Sequence, residues 1–325
     1  MDSDSPVDFT MAAIDEHIAL SCFRLIVWTA STLGNCVILY VILGQRSLRR
    51  RAVNLLFAQL AIGDFITGTV SGVRGLSVIL FNALDFHDYT KRLCLFLGIP
   101  GLMGIHMSQS TMLAIALDRL LCIKFPVQYR HMETMKFAFF RFVLCFGFAA
   151  TMTGVAFEGI GARGDDRITV CSTGRSLPVW YAEQYWNFLA CFFTLFIYVL
   201  YISIYVLFTQ QHSSSFGKSA AQRAIFMTMT AVLVSYFFLW CVPNVLSLVM
   251  DSIDAPSTIR AYFSSLIGLC SGINAATNVF IYGWKHPELR GHIRTVFKGE
   301  RSSLVTVTAA RSIITQSPSN RVSHI

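Results

Sequence analysis

Positions 116–130 read Ala-Leu-Asp-Arg-Leu-Leu-Cys-Ile-Lys-Phe-Pro-Val-Gln-Tyr-Arg, at the end of an apolar run that extends from Leu95 to Leu117. An adjacent carboxylate and guanidinium, Asp118 and Arg119, are costly to place in hydrocarbon. One interpretation is a helix end whose arginine snorkels to the lipid headgroups. The other is a switch, in which Asp118 holds Arg119 until a partner takes it. The rest of the chain decides between the two.

The composition indicates a polytopic membrane protein. The chain has 325 residues, of which 54% are hydrophobic and 14% charged, and its mean hydropathy is +0.56. A soluble domain normally carries about 25% charged residues. The formal charge of +8 does not indicate a nucleic-acid partner, because the basic residues lie in short runs beside apolar spans. They are better explained as topology determinants and as contacts for anionic membrane lipid.

Seven stretches are apolar and long enough to cross about 30 Å of hydrocarbon, which takes roughly 20 residues. They cover about 22–44, 53–80, 94–123, 136–160, 184–209, 221–250 and 260–284. We therefore expect an all-α membrane protein with a seven-helix bundle. The predicted regions are an extracellular N-terminal tail (1–21), the bundle (22–284), a short amphipathic helix (285–298) and a disordered cytoplasmic tail (299–325).

The distribution of basic residues predicts which way the bundle faces. Of the 26 Lys and Arg residues, 18 lie in the segments around the ends of spans 1, 3, 5 and 7. The positive-inside rule places those segments in the cytoplasm and the N-terminus outside. Arg119 then lies at the cytoplasmic edge of a multi-pass protein of the plasma membrane.

Cysteine placement agrees with this orientation. Of nine cysteines, only Cys94 and Cys171 lie where the topology places extracellular helix ends or loops. The oxidising side of a membrane permits a disulfide there. We expect one that ties the top of span 3 to the 161–183 loop. The other cysteines fall in spans or at their ends, where they act as small packing residues.

Polar residues inside the spans are candidates for function. Asp64 in span 2 is expensive to bury unless it faces partners or a cation. Ser108, Asn274 and Asn278 could supply oxygens around Asp64 and a sodium ion, in a polar network that includes Asn35 of span 1. The alternative is a neutral, protonated Asp64 that only hydrogen-bonds between helices. No other cofactor or metal is expected.

One face of span 3 carries residues at steps of 7, 4, 3 and 4, which suits an α-helix. They are Gly101, Ser108, Met112, Ile115 and Arg119. This face runs from the extracellular mouth, past the Asp64 region, to the cytoplasmic edge. Such a face could couple events outside the cell to events inside it.

The motifs together resemble the class A (rhodopsin-like) G-protein-coupled receptors. Gly34-Asn35 resembles the helix-1 motif of that family, Leu60-Ala-Ile-Gly-Asp64 the LAxxD motif, Asp118-Arg119-Leu120 the DRY motif and Asn278-Val-Phe-Ile-Tyr282 the NPxxY motif. Cys94 precedes Arg119 by 25 residues, which is the family's spacing. Within the class, positions 118–130 and 282–290 are most similar to nematode serpentine chemoreceptors of the Srsx type. An invertebrate peptide receptor is the alternative inside the class.

The resemblance implies a receptor for an extracellular ligand, either a chemosensory small molecule or a neuropeptide. Ligand binding would move helix 6 about Pro243 and open a cytoplasmic cleft beside Arg119 for a heterotrimeric G protein. A receptor kinase and arrestin are further partners that the resemblance implies. Their target sites in the tail would be Ser302, Ser303, Thr306 and Thr308. An undecorated flexible tail is the alternative.

Several departures from the family pattern bear on this switch. Val279 replaces the proline of NPxxY. The expected Cys-Trp-x-Pro reads Trp240-Cys-Val-Pro243, which puts Cys241 at the switch position and Trp240 about 100° around the helix. Arg223 stands where several relatives carry a glutamate that locks the DRY arginine. Because two cations repel, we predict a loosely held inactive state with measurable basal signalling.

The polar and diagnostic positions predicted for the ligand pocket are Arg74, Gly101, His106, Gln109 and Glu158. Gly101 lies where amine receptors carry the aspartate for a ligand ammonium, which argues against a monoamine. Span 7 has no lysine between Arg260 and Lys285, which excludes a retinal Schiff base. Arg74 could meet a ligand carboxylate or an acidic peptide. The alternatives for Arg74 are a salt bridge to Glu158 and outward snorkelling.

A transporter or channel is the chief alternative to a receptor. It would call for repeat symmetry, broken helices in two halves or charged residues along a path. The chain instead has seven dissimilar spans and one isolated buried acid. An enzyme would need a cluster of His, Cys and Asp at metal or nucleophile spacing, and the scattered His106, His131 and His286 offer none. We therefore expect no enzymatic activity.

Overall fold

The computed structural model describes residues 6–86, 88–132, 134–158, 160–161, 164–168, 170–182, 186–210, 220–285 and 287–298. This part of the chain is helical and contains no regular strand. The helices are α1 (Pro6–Asp15), α2 (Ile18–Gly44), α3 (Arg46–Arg49), α4 (Ala52–Ala83), α5 (Lys91–Lys124), α6 (Pro126–Met132), α7 (Met135–Val155), α8 (Thr173–Ser176), α9 (Trp186–Gln210), α10 (Ala220–Tyr236), α11 (Val242–Ser252), α12 (Ser257–Lys285) and α13 (Pro287–Lys298).

Seven of the described helices are long and apolar enough to cross a membrane, which confirms the predicted bundle. Six of them are α2, α4, α5, α7, α9 and α12, and the remaining one runs through α10 and α11. We call the end of the bundle with Cys94 and Cys171 the disulfide end. The opposite end, at the carboxyl end of α5, is the Arg119 end.

The first membrane helix begins earlier than predicted. α2 starts at Ile18 rather than at position 22, because His17 caps it: the Ala19 N–H donates to His17 Nδ1 at 3.3 Å. The polar tail before it also contains a helix, α1, which the acidic composition of that segment does not predict. The predicted disordered tail, 299–325, lies outside the described residues.

Glycines bring α4 close to its neighbours. A Cβ atom on Gly68 would overlap Ser31 of α2, and one on Gly72 would overlap the Trp28 ring. On the opposite side, a Cβ on Gly104 of α5 would lie 2.9 Å from the carbonyl oxygen of Gly63. Because both neighbours approach so closely, α4 is wedged between α2 and α5, and polar groups on α4 are enclosed.

The short helix after the last membrane helix packs back on the bundle. α13 covers Pro287–Lys298, within the predicted 285–298. Leu289 is completely buried against the main core, and Ile293 packs against the same cluster. The apolar side of α13 therefore closes the core beneath α12 and α2 at the Arg119 end.

Candidate functional site

A cavity of about 1560 Å³ lies at the disulfide end. Its walls come from α4, α5, α11 and α12, with contributions from α1, α2 and the segment between α7 and α9. Thr67, Ile105, Trp240 and Gly272 line its inner end. Small-molecule pockets are typically about 300–1,000 Å³, so this cavity has room for a larger ligand.

The disulfide between Cys94 and Cys171 confirms the predicted pairing and closes one side of the cavity mouth. Backbone hydrogen bonds extend this attachment. The Lys91 N–H donates to the Asp166 carbonyl at 3.1 Å, and the Arg92 N–H donates to Gly164 at 2.9 Å. The segment after α7 is thereby fixed against the start of α5, along the rim of the cavity.

Tyr89 lies beside this rim, just before α5. Burial raises the pKa of the Tyr89 phenol, and the nearby Glu16 carboxylate raises it further. The phenol therefore stays neutral at physiological pH. It adds no negative charge beside Arg74.

The predicted pocket residues divide into two groups. Arg74 and Gly101 line the cavity, whereas His106 and Gln109 do not, and Glu158 is exposed outside it. Arg74 does not pair with Glu158 as one alternative supposed; its guanidinium forms an ion pair with Asp15.

His106 and Gln109 belong to a buried polar cluster in the bundle core. His106 Nε2 lies 2.9 Å from the Tyr181 hydroxyl, and Nδ1 lies 3.3 Å from Gln109 Oε1. The Tyr181 hydroxyl also donates to the Met152 carbonyl at 3.2 Å. These side chains link α5 to α7 and to the segment before α9, so their contacts are those of a structural cluster.

The Trp240-Cys-Val-Pro243 sequence is accommodated by a wide helical turn over Phe237–Cys241. In this turn the Val242 N–H donates to the Phe237 carbonyl, five residues earlier, which adds one residue to the turn. Trp240 consequently lines the cavity despite its displaced position in the sequence. Cys241 points elsewhere and lies 3.3 Å, Sγ to Oγ1, from Thr194 of α9.

Asp64 is buried at the centre of the bundle, with 2% of its surface exposed. It accepts hydrogen bonds from Ser108 Oγ at 3.1 Å and from Asn278 Nδ2 at 2.8 Å. The backbone carbonyl of Asp64 accepts from Ser31, whose own carbonyl accepts from Asn35 Nδ2. Residues of α4, α5 and α12 thus meet at the carboxylate, and α2 contacts the backbone of the same residue.

Several oxygens around Asp64 have no partner among the described groups. They are the amide oxygens of Asn35, Asn274 and Asn278 and the hydroxyl of Tyr282. A buried polar atom without a partner is costly. The cluster therefore offers spare oxygen ligands beside a carboxylate, which is the donor set that a hard cation prefers.

Asp118 is the centre of a second buried cluster, at the Arg119 end. Arg119 Nε lies 3.0 Å from Asp118 Oδ2, and Arg141 of α7 contacts the other carboxylate oxygen. The Tyr129 hydroxyl lies 3.0 Å from Asp118 Oδ2 and 3.1 Å from Arg119 Nη2. Arg141 also donates to the Ala52 carbonyl of α4. One carboxylate therefore serves two guanidiniums and a phenol.

Arg223, the predicted source of repulsion, lies in α10, and its side chain is outside the described residues. Apolar residues of the described part of α10 lie opposite Arg119. Met229, Val232 and Leu233 face Met112 of α5, and the space left beside them is about 20 Å³. That volume is about one water molecule. The bundle is closed at the Arg119 end.

The face of α5 predicted from residue spacing makes its contacts in the expected order. Gly101 lines the large cavity, Ser108 binds Asp64, and Met112, Ile115 and Arg119 line the small space at the other end. This one helix therefore touches all three sites.

Residues 28–297 match the family described as Serpentine type 7TM GPCR chemoreceptor Srsx. The chain belongs to this family. Neuropeptide FF receptor 2 of Mus musculus is 23% identical to this Srsx receptor, over 89% of this chain and 76% of the relative. Galanin receptor type 2 of Rattus norvegicus is 23% identical, over 87% and 77%. Adenosine receptor A2b of Bos taurus is 25% identical, over 80% and 83%.

Family membership makes this Srsx protein a multi-pass, ligand-binding G-protein-coupled receptor. It points to a receptor rather than to an enzyme. Membership of the family implies an extracellular ligand and a G protein as partners. The resemblance drawn from the sequence motifs is confirmed.

Four residues of the receptor's sites were missed by sequence reasoning. They are Asp15, Arg24, Tyr129 and Arg141. Arg141 offered a signal, since it lies inside an apolar span where a charge needs a partner. Asp15 and Tyr129 lie in polar segments, where a single acid or phenol carries no such signal.

Proposed function

We propose that the receptor binds its ligand in the large cavity and activates a heterotrimeric G protein at the Arg119 end. The observation that carries this proposal is the continuous face of α5, which connects the large cavity to the Arg119 end. A ligand at the inner end of the cavity would contact Trp240, which is part of the wide turn. Wide turns and prolines are the usual points of helix bending.

The switching step is a movement of α10 and α11 about the wide turn and Pro243. Opening would withdraw Met229, Val232 and Leu233 from α5 and enlarge the space beside Arg119. The G protein would dock in that space. A ligand drives this step only by binding the open state more tightly than the closed one.

The proposed ligand is a peptide or a chemosensory small molecule that carries an acidic group. The cavity volume favours a peptide, and Arg74 on the wall favours an anion. Among the relatives, neuropeptide FF receptor 2 and galanin receptor type 2 have peptide names, whereas adenosine receptor A2b does not. A small organic acid is therefore the second candidate.

We propose that the receptor lies in the plasma membrane with its N-terminus and the disulfide end outside. The excess of Lys and Arg around the Arg119 end supports this orientation, and these residues would contact anionic lipid. Receptor kinase and arrestin are proposed partners of Ser302, Ser303, Thr306 and Thr308, which lie outside the described residues.

A sodium ion is the proposed occupant of the Asp64 cluster. The fit rests on the carboxylate, the Ser108 hydroxyl and the unpartnered amide oxygens of Asn274 and Asn278. A bound cation would stabilise the closed bundle, because it would link α4, α5 and α12. A protonated Asp64 is the competing proposal, and the two differ in their response to sodium.

Guanine-nucleotide exchange tests the proposed function. Membranes that contain the receptor and a G protein would be screened with neuropeptide and small-metabolite libraries. We expect a ligand that accelerates exchange, with loss of the response in Arg119→Ala. Arg92→Ala is the matched control, since it removes a half-exposed arginine at the other end. A response that survives Arg119→Ala would contradict the proposed docking site.

A further inference from the structure

Two arginines meet one carboxylate at the wall of the large cavity. Arg24 Nη2 lies 2.6 Å from Asp15 Oδ1, and Arg74 Nη2 contacts Oδ2. The exposed fractions of these side chains are 11% for Arg24, 18% for Arg74 and 11% for Asp15. All three line the cavity. Each oxygen of a single carboxylate is thus taken by a different guanidinium.

The carboxylate comes from a segment that precedes the bundle. α1 ends at Asp15, and two residues separate it from α2. Ala12 and Ile14 pack beside Ala261 of α12 and Val170 of the segment between α7 and α9. α1 therefore rests on the rim of the cavity, with its last residue inserted between α2 and α4.

The cavity is positively charged even with Asp15 in place. Six of the described lining residues are Lys or Arg and three are Asp. Lys91 is paired with Asp166 at 3.2 Å, whereas Arg24 keeps a buried Nη1 that has no partner among the described groups. If Asp15 withdrew, two adjacent guanidiniums would face the cavity. Buried guanidinium groups, which can donate two parallel hydrogen bonds, bind carboxylates strongly.

We infer that Arg24 and Arg74 form a carboxylate-binding subsite of the ligand cavity, which Asp15 occupies until an anionic ligand displaces it. This inference rests on the proposed function, because it assigns the ligand's acidic group to the same cavity. The segment α1 is then a built-in competitor. Ligand binding exchanges one carboxylate for another and releases the end of α1.

The exchange accounts for a buried ion pair whose acid comes from a segment before the bundle rather than from a membrane helix. Two unpaired buried cations are unstable, so an empty subsite would be costly. Asp15 supplies the missing charge at no translational cost, since it is tethered to α2. An incoming ligand must therefore compete with a carboxylate at high local concentration.

Binding of model carboxylates to the purified full-length receptor tests this inference without a G protein. The probes are succinate and acetyl-tetraglutamate amide, which separate a small organic acid from an acidic peptide. Succinamide and acetyl-tetraglutamine amide are their uncharged counterparts. The readout is the shift of the thermal unfolding midpoint with probe concentration, because a ligand that binds the native state raises it.

The variants separate loss of the competing carboxylate from loss of the subsite itself. Asp15→Asn empties the subsite with little change in shape. Arg74→Gln combined with Asp15→Asn removes the subsite without leaving Arg74 unpaired. Asp165→Asn is the matched control: Asp165 forms an exposed ion pair with Arg92 at the same end, and neither residue lines the cavity.

We expect Asp15→Asn to bind at least one charged probe about tenfold or more tightly than wild type, since the competitor no longer occupies the subsite. Asp165→Asn should match wild type, and the double variant should lose the gain. The preferred probe identifies the source of the carboxylate. Equal responses of wild type and Asp15→Asn, or equal responses to charged and uncharged probes, would overturn the inference.

Hydrogen exchange on the wild-type receptor provides a second measurement that needs no variant. A charged probe at saturating concentration should accelerate amide exchange in α1, whereas its uncharged counterpart should not. Unchanged protection of α1 with bound probe would also overturn the inference. Because neither measurement uses a G protein, failure here is distinguishable from failure of receptor signalling in the exchange assay.

Discussion

Asp118 has more partners than a single ion pair requires. A carboxylate offers about four acceptor positions, and Arg119, Arg141 and Tyr129 all use them. The charge at this site is nevertheless unbalanced, because one negative charge faces two positive ones. Arg119 must therefore share its counter-ion. This sharing, rather than repulsion from Arg223 alone, supports the predicted loose inactive state.

Replacement of Asp118 by asparagine should release Arg119. We expect Asp118→Asn to raise basal nucleotide exchange, measured per receptor in membranes without ligand. It should also destabilise the receptor by roughly 3–5 kcal/mol, because two mostly buried guanidiniums lose their counter-ion. Addition of Arg119→Ala should abolish the extra exchange. If basal exchange stays at the wild-type level in a folded Asp118→Asn receptor, Asp118 does not restrain Arg119.

Arg141 should act in the opposite direction. In Arg141→Met the Asp118 charge is no longer shared, so Asp118 should hold Arg119 more tightly and basal exchange should fall. Arg141→Lys is the control, because it keeps a positive charge beside Asp118 and should stay near wild type. An increase of basal exchange in Arg141→Met would mean that Arg141 positions Asp118 rather than competing for it.

The Asp64 cluster makes a prediction about ions. If sodium binds there, replacement of choline chloride by sodium chloride at equal ionic strength should raise the thermal unfolding midpoint of the purified receptor. Asp64→Asn should remove this dependence, since it removes the only charged ligand among those described around the site. A wild-type midpoint that is the same in both salts would instead support a protonated Asp64.

At the scale of helices, the packing of α4 depends on glycines that have no space for a side chain. Gly72→Ala should destabilise the bundle by about 1–3 kcal/mol, because its Cβ would overlap the Trp28 ring of α2. Gly147→Ala is the matched control: Gly147 lies in α7 with nothing near its Cβ direction, and alanine should be neutral or stabilising by up to about 1 kcal/mol. The thermal unfolding midpoints of the two variants are compared with that of the wild type. Similar midpoints for both variants would show that α2 and α4 can move apart without loss of stability.

The helices themselves were predictable because each depends on local composition. Long apolar runs predict membrane helices, and Arg74 did not prevent α4 from forming. The disulfide followed from topology, since only Cys94 and Cys171 lay at the right end. The position of Trp240 was not predictable, because ideal helical spacing turns it away from the cavity and the wide turn over Phe237–Cys241 offsets that rotation.

Contacts between distant segments could not be predicted from the sequence either. Arg74 plainly needed a partner, but nothing in the sequence distinguishes Asp15 from Glu158 as that partner. Likewise, Arg141 lies 23 residues from Asp118, and a fold is needed to bring them together. The sequence therefore identified Arg74 as a charge that requires a partner, and the structure shows that the partner is Asp15.

At the scale of the whole molecule, the three sites form a connected column. Trp240 lines the large cavity and stacks on Tyr236, with ring centroids 6.3 Å apart. Tyr236 belongs to the same core cluster as Met112 and Tyr282, which lie beside the closed space at the Arg119 end. This contiguous packing is the route by which a movement at Trp240 would reach the Arg119 end in the proposed switch.

The proposed orientation of this column in the membrane rests on the distribution of charge, and it can be tested on the whole chain. Asp8→Asn creates a glycosylation acceptor with Phe9 and Thr10 before the bundle, and Val322→Thr creates one at Asn320 after it. Glycosylation occurs only on the side that becomes extracellular. We expect Asp8→Asn to be glycosylated and Val322→Thr to remain unmodified, as read from gel mobility before and after endoglycosidase.

The basic segment between α2 and α4 should set this orientation. Replacement of its four arginines by glutamine removes the positive charge next to the first membrane helix; they are Arg46, Arg49, Arg50 and Arg51. The glycosylated fraction of Asp8→Asn should then fall, and that of Val322→Thr should rise, because fewer positive charges keep this segment in the cytoplasm. The same number of Lys and Arg replacements within 91–92 and 167–175, at the disulfide end, should leave both fractions unchanged. Glycosylation of Val322→Thr in the otherwise unchanged chain would show that the receptor has the opposite orientation, with the ligand cavity on the cytoplasmic side.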